Sequence, residues 1–484
     1  MAKRPDGAVV AVFADREAAT ALHRQIFDRL RAAILDRSLA PGARLPSTRT
    51  LARDLGVSRN TVVAAVEQLV AEGYLEAKVG AGTYVASTLP DDLLTAAPLK
   101  PPPAPKPMPV HADDLRPLPF RVGMPALDLV PIETWRRLMA RTWRTLDAGS
   151  LHYGAAEGWP PLRRAVASYL ATARGVRCAP EQVLVLSSCQ AALDLCARLL
   201  VQPGERVWVE EPGYIGAREA FRARGCRLVP VPVDQEGIDI ARVAPEDSAA
   251  RLAYVTPSCQ YPLGMTLSLR RRLALLAWAR DTGSWIVEDD YDSEYRYEGR
   301  PLAALQGLDQ AGRVLYVGTF NKVLFPTLRL AYLVVPPDLV DRFAEARRYI
   351  DGHSPIPEQR TLHAFIEEGH FAAHLRRTRI AYHQRQSTLV QALAARLGGL
   401  VEATPQPAGM QIVARLTAGI DDALLQREAD RIHLTVTPLS RYHLGAASSP
   451  GVLLGYSGFT PETLLRAVDR LTPLVERLAA PRAA

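Results

Sequence analysis

Apolar positions recur at helical spacing over residues 18–36, where Leu22, Ile26, Leu30, Ala33 and Ile34 share one face. "APGARLPS" breaks that pattern. Ser47 then stands where it caps a second helix reaching Leu55, with Gly56 as its stop. Ser58 caps a third, whose Val62, Val66, Leu69 and Val70 face inward and which stops at Gly73. "YLEAKVGAGTYVA" follows: two β-rich runs joined across Gly80-Ala81-Gly82, which predicts a hairpin. Three helices and a hairpin predict a winged helix-turn-helix over 18–87.

The periodicity is lost over 88–119. Ten prolines fall within residues 90–119, a composition that builds no core and predicts a semi-rigid, polyproline-like linker. From 120 to 484, β-like runs alternate with helix-like stretches: "QVLVLSS" before a helix carrying Leu193, Cys196, Ala197 and Leu200, then "RVWVEE", "RLAYVTPS", "SWIVEDD" and "RVLYVGT". That alternation predicts an α/β domain with a mainly parallel sheet. No internal repeat is visible, and no apolar run reaches membrane-spanning length.

Composition agrees with a globular chain of two or three domains: 484 residues, 48% hydrophobic and 23% charged. Cysteines at 178, 189, 196, 226 and 259 are odd in number and contain no C-x-x-C pair, so neither a disulfide framework nor a zinc site is indicated. A reduced, cytoplasmic setting is expected. The apolar run Ala8 to Ala14 imitates a leader only faintly, because Asp15, Arg16 and Glu17 follow at once. The net charge of +7 is concentrated: residues 22–61 hold eight Arg and three Asp, a balance of +5. By itself that is a solvated surface; on a helix-turn-helix pattern it points to nucleic acid.

In "SRNTVVAAVEQL", Ser58, Arg59, Asn60 and Thr61 project from the start of the third helix, where a recognition helix meets bases and phosphates. Arg49 lies on the preceding helix, and the wing glycines let backbone approach a strand of DNA. The whole stretch from "RLPSTRTLARDLGVSRN" to "GAGTYV" resembles the GntR-family winged helix-turn-helix. That resemblance implies DNA contacts by Arg49, Ser58, Arg59, Thr61 and Gly80.

"VLYVGTFNKVLFPTLRLAYLV", residues 314–334, reads as core yet carries Lys322 and Arg329. An unpaired buried ammonium is costly. A lysine joined to pyridoxal 5'-phosphate (PLP) as a Schiff base escapes that cost. Such a lysine needs a carboxylate for the pyridine nitrogen, a phenol or amide for the ring oxygen, and an anion site. "WIVEDDYDSEY" offers Asp289 and Tyr291, two apart at a strand end. "LSSCQAAL" is a strand-to-helix turn suited to a phosphate, to which Arg329 adds charge. Each has a plainer reading: Asp289 as a helix cap, Ser188 as a turn residue, Arg329 as an ion-pair partner.

"TPSCQYPLG", "VEDDYDSEYRYEGRPLAAL" and "GTFNKVLFPTLRLAYLVVP" resemble the MocR/GabR regulators, which fuse a GntR-type winged helix to a class I aminotransferase-like, fold-type I PLP domain with a smaller α+β C-terminal subdomain. The resemblance covers nearly the whole chain, linker included. It implies Lys322 as the Schiff-base lysine, Asp289 as the pyridine partner and Tyr291 as the phenol at the ring oxygen. It puts Ser188, Cys189 and Gln190 in the phosphate turn with Arg329 as its cation, and Tyr214 near the cofactor. Arg218 and Arg441 become candidates for an effector carboxylate. Departures are Cys259 and Tyr261 in the "CQYPLG" motif, Asn321 before the lysine where the family has Ser, and Leu in "VLLGYSGF" where aminotransferases carry an arginine.

The implied function is a PLP-dependent transcriptional regulator. An amine effector reacting at or displacing the Lys322–PLP linkage would change operator binding. The effector is an amino acid, a related carboxylate or sulfonate, or PLP itself. A head-to-tail, domain-swapped homodimer is implied, with at most weak transaminase activity. Two other readings stay open: a working aminotransferase with a DNA-binding appendage, and a DNA-binding protein whose second domain only dimerises.

Overall fold

The computed structural model describes residues 15, 18, 20–78, 82–90, 117–297, 303–417, 419–445 and 449–479. They divide between two compact units, Met1–Asp114 and Leu115–Ala484.

In the first unit, α1 (Leu22–Leu35), α2 (Thr48–Asp54) and α3 (Arg59–Ala71) precede the hairpin β1 (Leu75–Lys78) and β2 (Gly82–Val85). The capping serines do what their positions predict. Ser47 Oγ accepts the Thr50 N–H at 3.1 Å, and Ser58 Oγ accepts the Thr61 N–H at 3.2 Å. Each satisfies an N–H that the first helical turn leaves orphaned. Ile26, Phe27, Leu30 and Ile34 of α1 pack against Leu51, Val62, Ala65 and Leu69, and the hairpin closes the core with Leu75 and Val85. Phe27 joins this core beside Ile26, widening the stripe read from the sequence. The hairpin pairs Leu75 with Val85 and Lys78 with Gly82. Its tip, including Gly80, lies outside the described residues, as does the proline-rich stretch 91–116.

The second unit is built on eight strands: β3 (Val183–Leu186), β4 (Arg206–Glu211), β5 (Arg227–Asp234), β6 (Gly237–Ile238), β7 (Ala250–Val255), β8 (Trp285–Asp290), β9 (Val314–Thr319) and β10 (Ala331–Val334). Their order is β3-β10-β9-β8-β7-β4-β5-β6. Strand parity separates two cores. Leu184, Val207, Leu252, Val287, Leu315 and Leu333 face α5 (Cys189–Leu200) and α6 (Ile215–Ala223). Val183, Val185, Tyr316, Tyr332 and Val334 face α4 (Pro160–Arg174), while Ala253, Val255 and Ile286 face α7 (Leu269–Thr282). All five apolar runs singled out in the sequence form strands. Among β5, β4, β7, β8 and β9 every pairing is parallel. Two strands break the rule: β6 pairs antiparallel with β5 at one edge, and β10 is antiparallel to both β3 and β9. The link from β9 is too short for a crossover, so the chain must return beside it in the opposite sense.

A second, antiparallel sheet has the order β11-β12-β14-β13, from β11 (Val401–Ala403), β12 (Gln411–Leu416), β13 (Thr437–Pro438) and β14 (Gly451–Gly455). Ile412, Ala414 and Leu454 pack it onto α8 (His370–Leu397) and α9 (Pro461–Ala479) through Leu389, Leu393, Val468 and Leu471. The chain that opens this unit is stitched to that sheet: the Phe120 carbonyl accepts the Gly455 N–H at 2.7 Å, and the Pro119 carbonyl accepts the Thr435 N–H at 3.0 Å. Among the described residues no helix is long and apolar enough to cross a membrane.

Candidate functional site

The C-terminal ends of β3, β8 and β9 open into a cavity of about 560 Å³. Ligands in α/β sheets bind at that end of the strands. Asp289 and Tyr291 enter it from β8, Thr319, Asn321 and Lys322 from β9, and Ser187 to Gln190 from β3 and the start of α5. Tyr214, Arg329 and, from the second sheet, Gln411 complete the wall.

Lys322 lies just beyond β9, its stem enclosed and its Nζ donating to the Gly123 carbonyl at 3.0 Å. Burial is the largest effect on its amine and lowers its pKa from the usual lysine value. That enlarges the neutral, nucleophilic fraction. Gly123 is needed there: its φ is +69°, and a Cβ would come within 2.7 Å of the lysine nitrogen.

Asp289 is 4% exposed. Its Oδ2 accepts from the Tyr254 hydroxyl at 2.9 Å, while its Oδ1 is buried without a hydrogen-bond partner among the described residues. Burial pushes its pKa up to about 7, against the lowering effect of the Tyr254 bond. A buried carboxylate with one oxygen unsatisfied calls for a donor, best a cationic one. Tyr291 donates to the Cys259 carbonyl at 3.3 Å and receives the Gln411 amide at 3.4 Å. Tyr261 stands edge-on between Tyr214 and Tyr291, at 5.6 Å from each ring, and gives the cavity an aromatic wall.

The other end of the cavity suits an anion. Ser188 caps α5, accepting the Ala191 N–H at 3.1 Å, which leaves its own proton to donate. The Gln190 side chain turns away to the Gly216 carbonyl at 3.1 Å, so only its backbone N–H belongs to the turn. Arg329, exposed on the cavity wall, has φ +53°, an unusual conformation for a residue with a side chain. Asn321 braces both features: its Nδ2 donates to the Ser187 carbonyl at 3.1 Å and its Oδ1 accepts the Leu330 N–H at 2.8 Å.

The two arginines expected to receive an effector carboxylate do not line this cavity. Arg218 is buried and donates to Glu211 Oε2 at 3.1 Å and to the Tyr442 carbonyl. It lies near the start of α6, against the end of β4, and Glu211 there supplies the charge that a buried guanidinium requires. Arg441 is exposed on the turn Leu439–Tyr442; the neighbouring Tyr442 turns inward instead and meets the Tyr261 hydroxyl at 3.0 Å. Leu453 of "VLLGYS" packs with Leu439, Tyr442 and Tyr261 in an apolar cluster. Tyr254, Thr319, Gln411 and Gly123 line or border the site but were not read from the sequence. Thr319, last residue of β9 and three before Lys322, carried the best signal.

In the first unit, Arg49, Ser58 and Arg59 are exposed at the start of α2 and α3, and Thr61 is half-buried. The Ser58 and Thr61 hydroxyls bond each other at 2.7 Å. These two residues build the cap, whereas Arg49 and Arg59 reach solvent as free cations among the described residues.

Residues 22–85 match the family described as bacterial regulatory proteins, gntR family, and residues 119–471 match aminotransferase class I and II. The chain is 44% identical over 473 residues to the probable rhizopine catabolism regulatory protein MocR of Rhizobium meliloti, covering 94% of each. It is 31% identical to the pyridoxine biosynthesis transcriptional regulator PdxR of Corynebacterium glutamicum, over 92% of this chain and 94% of that one. The crystal structure of LysN, an α-aminoadipate aminotransferase of Thermus thermophilus complexed with N-(5'-phosphopyridoxyl)-L-leucine, superposes with a TM-score of 0.67. Identity to it is 31%, over 75% of this chain and 92% of that one.

Proposed function

The chain belongs to the MocR type of regulator, a gntR-family DNA-binding module joined to an aminotransferase class I and II domain, and on that premise we propose that it is a transcriptional regulator in which an amine reacting at Lys322 of a PLP site changes operator affinity. The observation that carries the reading is the pairing of Lys322 with the unsatisfied Asp289 Oδ1 in one cavity, in a chain that also has a recognition helix.

The residues fit the cofactor. Asp289 Oδ1 would accept from the pyridine N–H, and Tyr291 would meet the ring oxygen. Ser188 and the N–H groups of Cys189 and Gln190 would hold the phosphate with Arg329, and Tyr214 would cover the ring. When bound, PLP supplies an aldehyde that condenses reversibly with primary amines and a ring that withdraws electrons from the carbon so attached. The protein's part is to keep Lys322 desolvated enough to give up its proton, and to hold Asp289 ionised through a cationic neighbour. Tyr261 lines the cavity, and its hydroxyl is held by that of Tyr442.

The effector is a small primary amine, either an amino acid, a related carboxylate or sulfonate, or PLP itself. Its acid group would meet Gln411, or Arg218 once Glu211 releases it. A head-to-tail, domain-swapped homodimer would present two recognition helices, with Arg49 and Arg59 as the residues that reach DNA, to two half-sites. Boundaries of 18–87, 88–119 and 120–484 fit such a division of labour.

Purified protein should be yellow, and borohydride reduction should fix its cofactor to the chain as a stable secondary amine. Lys322→Ala should remove both properties and abolish the response of operator binding to amines; a colourless wild type that takes up no PLP would refute the reading. The second reading, a working aminotransferase, is favoured by the likeness to LysN. Turnover of amino donors with an ordinary keto acid should be slow or absent. Robust multiple turnover would decide for the enzyme.

A further inference from the structure

Asn321 stands where the related motif has serine, and its carboxamide uses both ends. Nδ2 holds the Ser187 carbonyl at 3.1 Å, at the mouth of the turn that opens α5. Oδ1 holds the Leu330 N–H at 2.8 Å, one residue beyond Arg329. The residue's own N–H is fixed to Thr319 Oγ1 at 3.1 Å, and the Leu330 carbonyl accepts the Phe320 N–H at 3.0 Å. Leu330, the residue that follows Arg329, is therefore held at both its N–H and its carbonyl. Arg329 itself sits at φ +53°, a left-handed conformation that is unfavourable for a residue with a Cβ. Such a conformation persists only where its surroundings impose it.

We propose that Asn321 is a positioning residue for the cofactor's phosphate, clamping the Ser188 turn to the Arg329 loop so that helix terminus and guanidinium converge on one anion. This rests on the reading of the cavity as a PLP site. A serine hydroxyl is too short to span Ser187 and Leu330 together; the amide, with a donor and an acceptor about 2.3 Å apart, is long enough. Asn321 therefore acts through other groups, and the ligand feature it governs is the phosphate rather than the ring.

The test compares PLP with pyridoxal, which lacks the phosphate, by absorbance titration of the full-length protein. For Asn321→Ala, loss of two hydrogen bonds that set the cradle should weaken PLP roughly tenfold. Pyridoxal binding should change less than about twofold on the same reasoning. In an Arg329→Ala background the Asn321→Ala effect should shrink, since the two share one route. Equal loss for both ligands, no loss for either, or full additivity with Arg329→Ala would overturn the proposal. Should Asn321→Ala not fold, the uncharged and nearly isosteric Asn321→Leu fills the same space and loses both bonds. It should still show a phosphate-selective loss, and an unselective one would overturn the idea. A wild type that binds neither ligand would instead refute the cofactor reading itself.

Discussion

Replacing Asp289 by Asn should make the cofactor-free protein more stable and the cofactor weaker-bound. Burial is the main force on this carboxyl and raises it from an ordinary 3.8 to about 7, with Asp290 adding repulsion and Tyr254, Cys189 and Lys322 opposing. Its folded pKa therefore lies above its unfolded one. The stability it allows is complete below about pH 3.8, falls as pH rises, and is lost once pH passes the folded value near 7. At about 1.4 kcal/mol per pH unit, the gap bounds the penalty at about 4 kcal/mol, of which about 2 kcal/mol develops between about pH 5.5 and pH 8. Asparagine is neutral throughout and escapes it. Glu288 and Glu294 are also raised to about 7 by burial, but they are common to both proteins and cancel in the comparison; Glu210, raised to about 7 by burial with Asp289 adding repulsion, is relieved in the variant, in the same direction. The assay is urea unfolding of cofactor-stripped protein at the two pH values, followed by tryptophan fluorescence. All six tryptophans lie beyond residue 115, so the signal reports the second unit alone. The variant should gain on wild type by about 2 kcal/mol on going from pH 5.5 to 8, while its PLP affinity drops. Parallel pH profiles, or unchanged PLP affinity, would refute the argument.

Arg59→Ala should weaken operator binding without changing PLP content. It should also lower the salt dependence of binding by about one counterion in a mobility-shift titration across salt concentrations; unchanged affinity would remove Arg59 from the DNA surface. Ser58→Ala removes the cap of α3, and its effect should be felt first in folding: a loss of about 1 kcal/mol in the stability of the DNA-binding unit, measured by thermal unfolding.

Much of this was legible in the sequence because local physics fixes it. Ser47 and Ser58 cap where the pattern of apolar residues begins, and the five apolar runs could bury both faces only as strands of a sheet covered by helices on each side. The site residues on strand ends were legible for the same reason: Asp289, Tyr291 and Lys322 share a cavity because their strands are neighbours. What failed was long-range. Arg218 reads as a cation available for a ligand until Glu211 and the Tyr442 carbonyl, the latter 224 residues away in sequence, are placed beside it. Asn321 reads as a departure from a motif until its partners at 187 and 330 are known. Ser58 and Thr61 were read as DNA contacts, and their bond to each other shows that the same hydroxyls complete the helix start.

The hydrogen bond from Lys322 to the Gly123 carbonyl joins the buried amine to the stretch of chain that enters the second unit directly after the proline-rich segment. An amine committed elsewhere cannot donate to that carbonyl. Whatever frees Lys322 therefore alters the hold on the segment at Gly123, and thermodynamic reciprocity demands the converse. A pull transmitted along the entering chain must change how readily the lysine parts from its acceptor. Chemistry in the cavity and tension at its doorway are two readings of one bond.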